Sequence, residues 1–197
     1  MSELTFNEAL HLYTLDGAEI PSVTRIIGEA VGHIIMATEW HMKRGQIHHA
    51  CYAMIAKGQA FKHDEYSQPW IDGCRKFFAE VKPEIIAAER QVYSVVNQYA
   101  GTLDLICNIG RKLTIIDFKN TACGTDVIQC AGYAIAHEEM TKGKEKVKQV
   151  LTVAINGDGG YHMGQIVDGA TLRKARKEFL ACRAIYAIKQ REGMLTK

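Results

Sequence analysis

At 197 residues and 47% hydrophobic content, the chain is long enough to bury a substantial core as one domain and too apolar to be a disordered tail. A net charge of +2 excludes a uniformly basic nucleic-acid coat and leaves any such affinity to local clusters. Six cysteines without a C-x-x-C pair exclude a zinc ribbon or a regular iron–sulfur set and fit thiols in a reducing compartment. The N-terminus lacks the basic start and apolar stretch of a signal peptide and no apolar run reaches membrane-spanning length, so a cytoplasmic protein with no membrane partner is expected.

In chain order, His11 to Ile20 reads as two short strands around the Asp16-Gly17 turn. Pro21-Ser22 then begins a short helix that Gly28 closes, so residues 1–35 form an N-terminal hairpin-and-helix unit. From Thr38 to Ala56 the pattern predicts a long amphipathic helix with Trp40, Met42, Ile47, Ala50, Cys51, Met54 and Ile55 inward and Gly58 beyond its end. Gly45 inside that helix costs about 1 kcal/mol relative to alanine and points to a close backbone approach. The helix carries His48 and His49. His49 is the expected functional histidine and His48 a surface or packing residue, while a zinc trio with His41 is disfavoured by its loose spacing.

A second helix spans Gln68 to Val81, ahead of Pro83, and Ile85 to Val95 is strand-like with Glu89 either facing a site or exposed. After the central strands, a helix from Thr125 or Asp126 to Glu139 presents Gln129 and Tyr133 on one face, at i and i+4. Strands follow at Val147–Ile155 and Tyr161–Val167 around a glycine-rich turn without the lysine of a phosphate-binding loop. A basic helix from Ala170 to Gln190 closes the order, with Leu172, Phe179, Leu180, Cys182, Ile185 and Ile188 inward. Basic residues also collect at Lys142, Lys144, Lys146 and Lys148, and such clusters either follow a phosphate backbone or form solvated faces.

The central feature is a hairpin, Gly101-Thr102-Leu103-Asp104-Leu105-Ile106 and Leu113-Thr114-Ile115-Ile116-Asp117-Phe118-Lys119, joined by Asn108-Ile109-Gly110-Arg111. Alternation puts Asp117 and Lys119 on one face. An even-length turn sets Asp104 opposite Ile115 and Thr102 opposite Asp117, making the two acids diagonal neighbours about 7–8 Å apart at the backbone, within joint reach of one divalent cation. A three-residue turn would send them to opposite faces.

Four motifs in order then resemble the PD-(D/E)XK nuclease superfamily, in particular its RecB-like, phage-type exonuclease group. Arg44-Gly45-Gln46-Ile47-His48-His49 resembles the group's R-G-x-x-x-H helix and Gly101 to Asp104 its G-x-x-D strand. Asp117-Phe118-Lys119 resembles its D-x-K strand and Gln129 to Tyr133 its Q-x-x-x-Y helix. The resemblance implies an α/β (α+β) fold with a central mixed, mainly antiparallel sheet flanked by helices, a restriction-endonuclease-like core at 84–156 within a single nuclease domain. It implies Mg²⁺ or Mn²⁺ held by His49, Asp104, Asp117 and the Phe118 carbonyl. Lys119 would orient or help deprotonate the attacking water and Glu89 would be an accessory acid, while Gln129 and Tyr133 would hold the DNA strand or the site geometry and Arg44 would contact substrate. The expected activity is exonucleolytic hydrolysis of single-stranded DNA or duplex ends in phage-type recombination, replication or end processing, in the host cytoplasm if phage-encoded. A recombination or single-strand-binding partner and an oligomeric ring are compatible with it. An endonuclease on the same core is the alternative, and a non-catalytic DNA-binding protein a weaker one, because binding alone needs no acids aimed at phosphate.

Overall fold

The computed structural model describes residues 3–7, 10, 12–32, 39–120 and 123–196, with the backbone alone at 39–42. The readings at His11 and Thr38 and of the side chains of Trp40, His41 and Met42 lie outside these residues. The N-terminal unit is a three-stranded antiparallel ribbon, β1 (Leu4–Asn7), β2 (Leu12–Leu15) and β3 (Ala18–Ile20), one strand more than expected. Asp16 and Gly17 both take positive φ, 50° and 81°, as a two-residue hairpin turn demands. Helix α1 (Val23–Val31) starts at Ser22, whose hydroxyl accepts the Arg25 N–H at 3.1 Å. It runs through Gly28 and ends at Gly32, left-handed at φ 70°, so the expected exit was one turn early.

Two further helices follow, α2 (Glu39–Ala56) and α3 (Gln68–Val81). In α2 the buried face is His48, Cys51, Tyr52 and Ala53, whereas Ile47 and Ala50, expected inward, are exposed. Gly45 meets nothing within 4 Å of where a Cβ would sit, so it marks open space rather than a close approach. Such an approach occurs at Gly73 of α3, where a Cβ would lie 2.3 Å from the Gly160 carbonyl oxygen.

The main sheet contains β4 (Glu84–Ser94), β5 (Tyr99–Ile109), β6 (Lys112–Lys119), β7 (Gln149–Ile155) and β8 (Tyr161–Met163) in that spatial order, with the short β9 (Val167–Asp168) also paired to β7. The expected strand from Tyr161 to Val167 is thus split in two. Strands β4, β5 and β6 are antiparallel, and β6 pairs in parallel with β7 after a crossover through α4 (Asp126–Met140), giving a mixed sheet. One face packs on α1, α4 and α5 (Gly169–Arg191) through Ile26, Tyr99, Ile106, Ala134 and Phe179, the other on α2 and α3 through Tyr52, Phe77, Ile116, Phe118 and Leu151. Central strands covered by helices on both faces need near-continuous apolar residues, as Leu105-Ile106-Cys107 and Ile115-Ile116 supply.

Helix α5 keeps half of its expected face inward, Leu172, Phe179 and Cys182, and exposes the other half. Leu172, Ala175, Phe179, Cys182 and Tyr186 go in, and Leu180, Ile185 and Ile188 stay exposed. Three of its basic residues serve the fold: Arg176 forks onto Glu138 at 2.7 and 3.0 Å, Arg183 donates to the Asn97 carbonyl at 2.7 Å, and Lys189 pairs with Glu29. No helix among the described residues is long and apolar enough to cross a membrane.

Candidate metal and phosphate site

The hairpin closes on two residues, Gly110 and Arg111, with φ of 58° and 63°, and pairs Ile109 with Lys112 through Leu105 with Ile116. The turn is even, as expected, but two residues shorter. The ladder ends at Leu105 and Ile116; continued one step, its register would set Asp104 level with Asp117 rather than diagonal to it. Thr102 is not opposite Asp117; it pairs with Gln91 on β4, and its hydroxyl lies 2.8 Å from Tyr13 Oη on the ribbon.

The strands lose their regular phase at this level. Side chains two or four apart on a regular strand share a face. Yet Leu103 joins the α1/α4/α5 core and Leu105 the α2/α3 core, while on β4 Ala88 belongs to the second and Val92 to the first. Between them Glu89 adopts φ 52°, a left-handed conformation foreign to a strand, opposite the level of Asp104. The twist that moves these side chains between layers brings groups carried by β4, β5, β6, α2 and α4 to one end of the sheet.

There His49 Nδ1 lies 3.0 Å from Asp104 Oδ1, and Asp104 Oδ2 accepts the Phe118 N–H at 2.7 Å. Asp117 is 1% exposed, with Oδ2 2.8 Å from Lys119 Nζ and Oδ1 accepting from Gln129 Nε2 at 2.9 Å. Gln129 also receives Lys119 Nζ on Oε1 at 3.2 Å and donates to Tyr133 Oη at 3.0 Å, so the i, i+4 pair acts as one unit. Donor atoms of His49, Glu89 and Asp104 all lie within 4.8 Å of one another.

Three carboxylates here face two cations. Burial, then the charge of Asp104, push the Glu89 carboxyl up to about 7 against the pull of His49. Burial also raises Asp117, with Lys119 offsetting it only in part. For Asp104 burial acts upward, but His49 outweighs it and holds the acid low. His49 mirrors this: burial opposes its charge, and Asp104 overcomes burial to raise it to about 9. Lys119 is likewise raised, burial being outweighed by Asp117 and Asp104.

His48, one residue from His49, is fully buried and stacks on Trp70 with ring centres 4.9 Å apart. Arg44, expected to contact substrate, packs beside the same tryptophan. Its guanidinium donates to Tyr66 Oη at 2.8 Å and lies 5.6 Å from the centre of Trp70, which ties α2 to α3. The visible contribution of Phe118 is its N–H. The lysines at 142–148 enter β7 at Gln149, level with Thr114, whereas Asp117 is level with Thr152, so they sit at the opposite end of β6 from the acids.

A cavity of about 370 Å³ opens beside the cluster, lined by His49, Glu89, Asp104 and Tyr133 and, unanticipated in the sequence, by Phe6, Tyr13, Ser22, Thr24 and Gln46. Gly101 is required at its wall, because a Cβ there would lie 2.6 Å from Tyr133 Cε1.

No family model and no curated protein matches the chain. Among solved structures, an alkaline exonuclease from Laribacter hongkongensis is similar over 89% of this chain and 94% of its own at 10% identity and a TM-score of 0.39. The same enzyme in complex with dAMP is similar over 90% and 95% at 11% identity and a TM-score of 0.34. Likeness at this level assigns neither residues nor reaction.

Proposed function

We propose that the protein is a divalent-metal-dependent nuclease that hydrolyses DNA phosphodiester bonds from chain ends. The carrying observation is the convergence of His49, Glu89 and Asp104 next to the Asp117–Lys119 pair. The donor set fits the ion: one imidazole and two carboxylates suit Mg²⁺ or Mn²⁺, and the imidazole favours Mn²⁺. Three carboxylates crowded below the surface form an anionic excess that a cation relieves. His49, Glu89 and Asp104 would hold the ion, with Asp117 and the Phe118 carbonyl as the further donors the resemblance implies. When bound, such an ion polarises the phosphoryl oxygen and lowers the pKa of a coordinated water.

The remaining groups have roles that follow from their placement. Lys119, fixed by Asp117 and Gln129, can donate a hydrogen bond to the attacking water or to a non-bridging oxygen on which charge develops. Gln129 holds Asp117 and Lys119 in register with one amide, and Tyr133 holds Gln129. The Phe118 N–H and His49 set the Asp104 carboxylate from both oxygens. Arg44 braces α2 against Tyr66 and Trp70, and its contact with substrate remains part of this reading.

Linear and covalently closed circular DNA, single- and double-stranded, incubated with Mg²⁺ or Mn²⁺, test the reading. Loss of linear substrates with circles left intact is expected. Rapid cutting of circles replaces the exonuclease with an endonuclease on the same core. DNA left intact under every condition, or digested equally fast by purified Asp117→Ala, rejects the site.

A further inference from the structure

We infer that the cavity beside the acids is a nucleoside subsite, in which the base of the terminal nucleotide packs against the Phe6–Tyr13 pair while its phosphate meets the acid cluster. This rests on the nuclease reading and deepens it: the substrate class is an unpaired terminal nucleotide.

One cavity is lined both by the ionisable groups His49, Glu89 and Asp104 and by the rings of Phe6 and Tyr13, which stack with centres 4.4 Å apart and planes at 28°. Tyr13 is fixed by its hydroxyl on Thr102 and by burial with Leu15, Ile20 and Ala100, so the ring pair is a preformed wall. The ribbon is bound to the main sheet at that point, where the Ala100 N–H donates to the Pro21 carbonyl at 3.0 Å. Thr24, whose hydroxyl lies 3.1 Å from that of Ser22, lines the same cavity and adds a polar group to it.

A volume of about 370 Å³ lies at the small end of ligand pockets and admits one nucleotide rather than a base pair. An aromatic wall recognises any base by its π-face, which suits an enzyme that removes nucleotides whatever their sequence. A base must leave its partner and its stack to enter, so a blunt duplex end pays an unpairing cost that a single strand does not.

The test measures dissociation constants for 5′-dAMP and for deoxyribose 5-phosphate, which lacks the base, in the presence of Mn²⁺. The proteins are the wild type, Phe6→Leu, which keeps apolar bulk in the ribbon, and Phe6→Tyr, which keeps the ring. Wild type should bind dAMP more tightly than the sugar phosphate. Phe6→Leu should weaken dAMP about 5- to 100-fold while leaving the sugar phosphate unchanged, and Phe6→Tyr should restore binding. On a single-stranded oligonucleotide KM should rise in Phe6→Leu by more than kcat falls. Cleavage of DNA by a wild type that binds both ligands equally, or by a Phe6→Leu protein that binds dAMP normally, overturns the subsite alone. Absence of both cleavage and binding overturns the nuclease reading and the subsite with it.

Discussion

Glu138 on α4 and the Glu89–Asp104–Asp117 group are both acids carried below the surface, and their surroundings answer them differently. Glu138 receives both arms of Arg176, the Val147 N–H at 2.9 Å and Lys146 at 3.4 Å. Burial would raise its pKa, but the Arg176 hydrogen bonds and charge win and hold it below the usual range. At the sheet end, three carboxylates share Lys119 and His49, and burial leaves Glu89 and Asp117 raised. A carboxylate whose basic partners match its charge ties elements together; one left in excess is poised to accept a cation. Burial alone does not separate the two cases, but the balance of partners does.

This contrast can be broken first at the excess acids. Asp117→Ala and Lys119→Ala should each lower the DNA cleavage rate by on the order of 10²–10⁴-fold with little loss of helix signal by circular dichroism. Next, Mn²⁺ at a hundred times its dissociation constant should stabilise the wild type by about 2.7 kcal/mol in thermal melts. The double variant His49→Ala/Asp104→Asn should lose most of that gain, and an unchanged shift would move the ion elsewhere.

The matched acid should respond in the opposite currency. Arg176→Met should cost about 1.5–3 kcal/mol of stability yet leave cleavage per folded molecule near wild type. Because the folded-state pKa of Glu138 is depressed, its contribution is present above the ordinary glutamate range and lost as pH falls through the folded value. The difference in urea stability between wild type and Glu138→Gln should therefore shrink as pH drops from 7 toward acid. The smallest effect belongs to the lysines at the far end of β6: Lys142→Gln/Lys144→Gln should change the cleavage rate by less than about threefold at 0.15 M salt. A larger drop would bring that loop into the DNA path.

Much of this plan is visible in the sequence because local rules dominate there. The span of α3, the hairpin of β5 and β6 and the Gln129–Tyr133 pair follow from periodicity and spacing, whereas the preference for His49 over His48 comes with the family resemblance. Other features depend on partners distant in the chain. Arg176, Arg183 and Lys189 look like a phosphate-tracking face until Glu138, the Asn97 carbonyl and Glu29 close on them. Arg44 has the right motif, but Tyr66 and Trp70 take its guanidinium. The role of the ribbon was hidden for the same reason: Phe6 and Tyr13 reach the cavity only after the ribbon docks on Ala100 and Thr102. Glu89 is the hardest case. Its neighbours Ala87, Ala88, Gln91 and Val92 read as an ordinary strand, and nothing in them announces a residue at φ 52°.

That conformation makes position 89 a place where folding and chemistry want different residues. Glycine adopts positive φ without the clash that a Cβ brings, so Glu89→Gly should raise thermal stability by about 1 kcal/mol in melts while removing a carboxylate from the metal-binding set. Any optimisation of this chain for robustness alone would select that change early and, under the proposed function, give up one of the acids offered to the ion.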